Sequence, residues 1–303
     1  MKKLLITSTA LVVASGAAFA DGHTGVKLSG YAEIGVKDNG NGDVQFHHDM
    51  DVSFKLSGET DGGLTFGAKV DLDEIDNSSV FKGNADPLSG DASPATVFIA
   101  GDSWKITMGD TDNALDAALT EVAFLTALAD DHSTHSGYSG NSGFDADGQN
   151  LRFDYSFDSF SLHASYAQAN NGASSTNDAI ALGAKFSTDL GGTSIGVGVG
   201  YNEAGTGNEI FGISLTAGIA GFDVVLNYWD GEIASVDETY TAIGVNYTID
   251  ALSLTANYGE FDSGAEGFGV AANYDLGGGA VVMFGYSDDN VGDQWSLGLG
   301  LSF

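Results

Sequence analysis

The sequence has no cysteine and only 2 prolines in 303 residues. Without cysteine there is neither a disulfide scaffold nor a thiolate metal site. Both prolines, Pro87 and Pro94, fall in one candidate connection, where no ladder donor is needed. Positive charge is scarce as well: 10 Lys and Arg stand against 42 Asp and Glu. Such an acidic chain is no partner for nucleic acid. Long hydrophobic runs are also missing, since no segment reaches the roughly eighteen continuous apolar residues of a spanning helix. Passage through a membrane would therefore have to use strands closed into a barrel.

What is present points to export. Met1-Lys2-Lys3 precedes an apolar stretch from Leu4 to Val13, and Ala18-Phe19-Ala20 has the small-x-small form of a cleavage site, so residues 1–20 read as a secretory signal peptide. The mature chain, 21–303, then keeps 8 basic residues against 42 acidic ones, a formal charge of −34. The 44 Gly, 18 Phe and 11 Tyr of the full sequence, together with regular alternation, argue against disorder. No linker interrupts the pattern, which gives one domain.

The last nine residues, Trp295 to Phe303, place a large apolar residue at every odd position and Gly or Ser at every even one. A period of two is a strand with two different surroundings, and Gly and Ser suit a wet or crowded interior. Similar runs recur at 26–37, 44–57, 63–73, 96–101, 103–109, 150–157, 160–169, 179–188, 193–202, 209–219, 222–230, 238–249, 251–260, 265–275, 279–287 and 294–303. Connections between them alternate long and short, the short ones rich in Gly, Asp and Ser as tight hairpins require. This predicts an all-β, 16-stranded antiparallel transmembrane β-barrel, short turns on the periplasmic side and a water-filled interior. No blade repeat of ~40 to 50 residues supports a propeller.

Alternation also assigns faces. In the second run Val44, Phe46, Met50, Val52, Phe54 and Leu56 face lipid, with His48 breaking that series. Lys27, Lys37, Lys55, Lys69, Lys105 and Arg152 all count inward, on the first third of the barrel. The longest connection, Asp110 to Gln149, contains Asp110, Asp112, Asp116, Glu121, Asp130, Asp131, Asp145 and Asp147 and no Lys or Arg. Its first half has a capping residue and near-helical apolar spacing, which predicts a short helix. A structured loop of that length needs a surface to pack on, and the lumen wall is the available one.

Several pieces carry a family resemblance by their order and spacing: Val26-Lys27-Leu28-Ser29-Gly30, Gly63-Leu64-Thr65-Phe66-Gly67-Ala68, Val97-Phe98-Ile99-Ala100-Gly101 with Lys105-Ile106-Thr107-Met108-Gly109-Asp110, Tyr274-Asp275-Leu276-Gly277-Gly278-Gly279-Ala280, and the terminal Phe303. The chain resembles the general diffusion porins of Gram-negative outer membranes, of the alphaproteobacterial type. The resemblance implies a homotrimer of separate pores in outer-membrane lipid and lipopolysaccharide, an inward-folded third loop at each constriction, and insertion by the barrel assembly machinery through Phe303. Position by position, Asp110, Asp112, Asp116 and Glu121 resemble the family's acidic rim, with Asp130 and Asp131 further along the loop. Lys27, Lys37, Lys55, Lys69 and Arg152 resemble its basic wall. The chain departs from the family in its few arginines, so a weak to moderate cation preference is expected.

No cofactor is required for such transport. Asp145 and Asp147 form a candidate Ca²⁺ pair, without EF-hand spacing. Ser/His catalysis lacks a Gly-x-Ser-x-Gly elbow, and His132 and His135 are read as solvated loop residues rather than metal ligands. Two alternatives share the fold: an adhesin or receptor, which needs larger loops, and a substrate-selective channel, which needs a lumenal aromatic track or a basic ring.

Overall fold

In the computed structural model, residues 24–40, 42–72, 95–134, 143–144, 150–168, 178–289 and 292–303 are described. The sixteen strands are β1 (Thr24–Asp38), β2 (Gln45–Glu59), β3 (Thr65–Leu72), β4 (Ala95–Ala100), β5 (Trp104–Gly109), β6 (Asn150–Phe157), β7 (Phe160–Ala167), β8 (Ala179–Asp189), β9 (Thr193–Ala204), β10 (Glu209–Ile219), β11 (Phe222–Ile233), β12 (Val236–Ile249), β13 (Leu252–Phe261), β14 (Glu266–Gly277), β15 (Ala280–Asp289) and β16 (Gly292–Ser302). Each pairs with its chain neighbours, and β1 pairs with β16 to close the barrel. Closure leaves no free edge, the condition for a sheet surrounded by hydrocarbon. Phe303 adds two backbone hydrogen bonds with Gly30 at the seam.

One face of the sheet is an apolar belt. Val26, Leu28, Phe46, Phe54, Val97, Met108, Leu182, Phe211 and Leu297 are exposed, Phe46 at 86%. On β16 the odd residues belong to this belt and Gly298 and Gly300 point the other way, as the alternation predicts.

The expected strict alternation of long and short connections does not hold in the second half. β11 continues to Ile233 and joins β12 through Ala234-Ser235 alone, both with positive φ (51° and 66°), the backbone of a tight two-residue hairpin. Polar Asp230, Glu232, Asp237 and Glu238 let these strands extend past the bilayer as a solvated ribbon, which sequence reading takes for a loop.

Candidate functional site

Register fixes the lumenal face. Lys27 pairs with Lys55 and Lys55 with Lys69, while Lys105 pairs with Asp154 and Thr107 with Arg152. Cross-strand partners share a face, so all six expected basic residues line the interior, with Lys37 opposite Gln45. Lys27, Lys55 and Lys69 form a row on three adjacent strands. The same wall carries acids, however. Glu33, Asp49, Asp51, Glu59, Asp71 and Asp154 also face inward, and Lys69 pairs with Asp71. Six cations against six anions make this wall neutral rather than basic. Sequence reading also left out Lys185, which pairs across with Ser161 and Gly198 and so faces the lumen.

The opposite wall differs in kind. Inward positions on β7 to β16 are mostly Gly, Ser, Asn and Ala, and residues 114–134 lie against them. Asn113 caps α1 (Ala114–Ala118), its side chain accepting from the backbone N–H of Leu115 and Asp116. The helix packs on β7, β8 and β9. A β-carbon on Gly183 would overlap the Ala114 carbonyl, one on Gly198 the Ala118 carbonyl, one on Gly244 the Val122 carbonyl and one on Gly269 the Ser133 carbonyl. These glycines are required because another backbone lies directly on the sheet.

The loop's polar backbone is satisfied by the wall rather than by water. Ser165 Oγ accepts from Ala114 N (2.9 Å), Ser214 Oγ from Thr120 N (3.2 Å) and Ser296 Oγ from Ala129 N (3.2 Å). Asn227 Nδ2 donates to the Thr120 carbonyl (2.9 Å) and Asn257 Nδ2 to the Ser133 carbonyl (2.8 Å). Ser and Asn buried on a strand face are costly without such partners. Apolar contact completes the seat, with Leu115, Leu119 and Val122 clustering with Ile210, Val225, Trp229 and Tyr240 and with partly buried Phe124 and Phe261. Trp229 (1% exposed) and Tyr240 (2%) stack at 5.5 Å. Most aromatics count to the lipid face, and Trp229, Tyr240 and Phe261 are exceptions. They point inward, but Trp229 and Tyr240 are buried with the loop and offer no open aromatic track to a sugar.

Among the expected acidic residues, Asp112 and Asp116 stand together at α1. Arg152 Nη1 donates to the Asp112 carbonyl (2.8 Å) and lies 3.6 Å from its carboxylate. Arg152 Nε is 3.0 Å from Asp154, which also holds His163 at 2.7 Å. Burial, and secondarily the Asp112 charge, push the Asp116 carboxyl up to about 6, while Arg152 opposes the shift. Glu121 is half-buried and lies near Tyr240. Asp110 is exposed at the end of β5. Asp130 and Asp131 open a short 3-10 turn, Asp130–Ser133. His132 is buried within that turn, not solvated as expected from sequence. His135, Asp145 and Asp147 lie outside the described residues, as does the signal segment 1–20. Among the described residues no group of three or more His, Cys, Asp or Glu is placed to hold a metal ion.

A closed sixteen-stranded barrel with an apolar outer belt and a polar interior defines an outer-membrane channel, not an enzyme. The chain matches the Gram-negative porin family over residues 7–303 and belongs to it. It is 30% identical over 300 residues to a porin of Rhodobacter capsulatus, covering 88% of this chain and 95% of that one. It is 27% identical over 308 residues to a porin of Fuscovulum blasticum, covering 88% and 97%. A mutant of Rh. blastica porin has the same fold, with a TM-score of 0.73 at 20% identity, covering 92% of this chain and all of that one. The protein is a passive diffusion channel of the outer membrane.

Proposed function

We propose that the pore admits small hydrophilic solutes and ions with a weak to moderate preference for cations, and that its narrowest part lies between the seated loop and the β1 to β6 wall. The observation that carries this reading is the path of residues 114–134 across the inward face from β7 to the β16–β1 seam. Asp112, Asp116 and Glu121 then supply a negative rim, with Asp110, Asp130 and Asp131 on the same connection. Lys27, Lys37, Lys55, Lys69, Lys105 and Arg152 supply the other side, offset by six acids among them. At physiological salt, charges beyond about 8 Å are screened, so selectivity is set at the narrowest level. Short connections at 205–208, 234–235 and 262–265 leave little surface for an adhesin.

Assembly as a homotrimer is supported by the outer surface. At the extracellular ends of β7, β9 and β13, Tyr166 donates to Asp178 (2.6 Å), Tyr201 to Glu203 and Glu209 (3.1 and 3.0 Å), and Tyr258 to Glu260 and Glu266 (2.8 and 2.9 Å). Tyr228 and Tyr286 occupy corresponding places on β11 and β15. Such tyrosines mark the lipid headgroup level. At the same end of β1, β2, β5 and β6 the outward residues are Val36, Phe46, His48, Met108 and Leu151, with no tyrosine among them. A face without this girdle fits contact with neighbouring copies. Outer-membrane lipid and lipopolysaccharide then meet the remaining face, while Phe303 fits the terminal signal of barrel assembly.

Reconstitution into planar bilayers tests the reading: conductance in steps of three, with a reversal potential of cationic sign in a salt gradient. The double substitution Asp116→Asn and Glu121→Gln is expected to lower cation preference, and unchanged selectivity would remove the loop from the constriction.

A pH dependence follows from Asp116. Its carboxyl is raised above its ordinary value of 3.8 to about 6, so its contribution to stability is full below about 4 and is lost as pH rises through 6. That contribution is at most about 3 kcal/mol. Cation preference should fall as pH drops from 7.5 to 5, and Asp116→Asn should flatten this part of the profile, read from reversal potentials at each pH.

A further inference from the structure

We infer that a groove on the outer face of β10 to β13 holds one lipid whose headgroup carries an ammonium group, with an acyl chain in the groove and the nitrogen at the Glu260–Glu266 pair. The groove has a volume of about 460 Å³ and an almost wholly apolar lining. Leu215, Leu226, Ile243 and Tyr258 are successive cross-strand partners and form one row of that lining. Thr241 and Glu260, also partners, stand one pleat nearer the extracellular end. Thr241 is far smaller than its other partner, Tyr228, and the difference in size opens the depression. The inference rests on the oligomer reading above: β10 to β13 lie across the barrel from the tyrosine-free face, so the groove meets lipid.

The extracellular end of the groove carries charge that its own strands do not balance. Glu260 and Glu266 are direct cross-strand partners, both exposed, and the Tyr258 hydroxyl lies 2.8 and 2.9 Å from them. Like charges directly opposite each other on a sheet repel, and a phenol has a single proton to share between two carboxylates. No Lys, Arg or His follows Lys185 in the sequence, so no side chain of β9 to β16 supplies a cation. An ammonium group does, and its three N–H donors can reach oxygens of both carboxylates. Among the described residues no third His, Asp or Glu joins the pair to make a metal site. Apolar burial then holds the chain, and the carboxylate pair selects the head.

The test counts lipids retained by the whole protein in native mass spectrometry, using phosphatidylethanolamine, phosphatidylcholine and phosphatidylglycerol with identical acyl chains. Wild type should hold one phosphatidylethanolamine per protomer roughly tenfold more tightly than phosphatidylcholine, whose nitrogen has no N–H, and should hold phosphatidylglycerol least. Glu260→Gln with Glu266→Gln should bring phosphatidylethanolamine down to the phosphatidylcholine level. Thr241→Trp fills the groove and should abolish this retention. Glu203→Gln with Glu209→Gln removes a like pair on β9 and β10 and should change nothing. Equal retention of the three lipids by wild type, a result that needs no variant, overturns the inference. So does an equal loss in the Glu203 and Glu209 variant, which would mean diffuse surface charge. A preference for phosphatidylglycerol that requires Mg²⁺ would mean a metal-bridged anionic lipid and overturns it as well. Dissociation of the oligomer by Thr241→Trp would place a neighbouring copy on the groove and overturn the oligomer reading too, whereas lost lipid selectivity in an intact oligomer overturns the lipid site alone.

Discussion

Gly244→Val is expected to lower single-channel conductance and destabilise the loop without preventing barrel closure. The inward position at Gly244 is occupied by the Val122 backbone: an added β-carbon would overlap its carbonyl oxygen and come within 2.7 Å of its carbonyl carbon and 3.0 Å of its Cα. Neither side can yield as a flexible side chain would. The sheet is fixed by ladders to β11 and β13, so the loop must rise toward the pore axis. Overpacking of this type costs about 1–3 kcal/mol, and the displacement is directed into the channel. Gly196→Ala is the control. Its β-carbon would meet the Thr216 hydroxyl and otherwise only the Phe186 carbonyl at 3.4 Å, with no loop atom near. Conductance should be unchanged there, and equal conductance in Gly244→Val and wild type would refute the argument.

Arg152→Ala is expected to raise cation preference and cost stability together. The guanidinium holds Asp154 and the Asp112 carbonyl at once, and Asp154 in turn holds His163. Its removal leaves the Asp154 carboxylate, itself only 17% exposed, with His163 as its remaining partner. Loss of this part-buried, charge-assisted contact costs about 1–3 kcal/mol, whereas the Asp112 carboxylate is 69% exposed and adds little. Because Arg152 restrains the upward shift of Asp116, the pH at which selectivity changes should also move upward. Arg152→Lys keeps the charge but cannot fork between two acceptors, so it should restore selectivity better than thermal stability. Reversal potentials and thermal denaturation of the two variants separate the electrostatic part from the structural one.

Strand number and facing were legible because a barrel wall meets lipid on one side and water or packed loop on the other, which writes a period of two into every segment. Val44 to Leu56 shows this: its outward and inward sets separate correctly in the register with β1, His48 included. What did not read out was the use of the inward face. Apolar alternation cannot distinguish Trp229 from Tyr228 beside it, since both are large and aromatic. One contacts lipid and the other packs beneath Leu119. The connection after Ile233 was misread because its strands outrun the bilayer and turn polar before they turn. A usable signal for the loop seat was nonetheless present. Inward positions at Gly183, Gly198, Gly244, Gly269, Gly285 and Gly298 repeat glycine on β8, β9, β12, β14, β15 and β16, a poor choice for a sheet facing only water and a necessary one beneath another backbone.

The Leu128 side chain lies on the seam where β1 meets β16, resting on Gly35 and Gly298. Its neighbours Ala129 and Ser296 are 167 residues apart in sequence, so this contact forms only after the first and last strands have met. Loop seating therefore reports that the barrel has closed in the correct register: a seam slipped by one residue would turn Gly35 or Gly298 outward and present a side chain to Leu128 instead. Once seated, the loop ties the two edge strands together from inside, and opening the wall sideways at this seam would require emptying the pore of its own loop first.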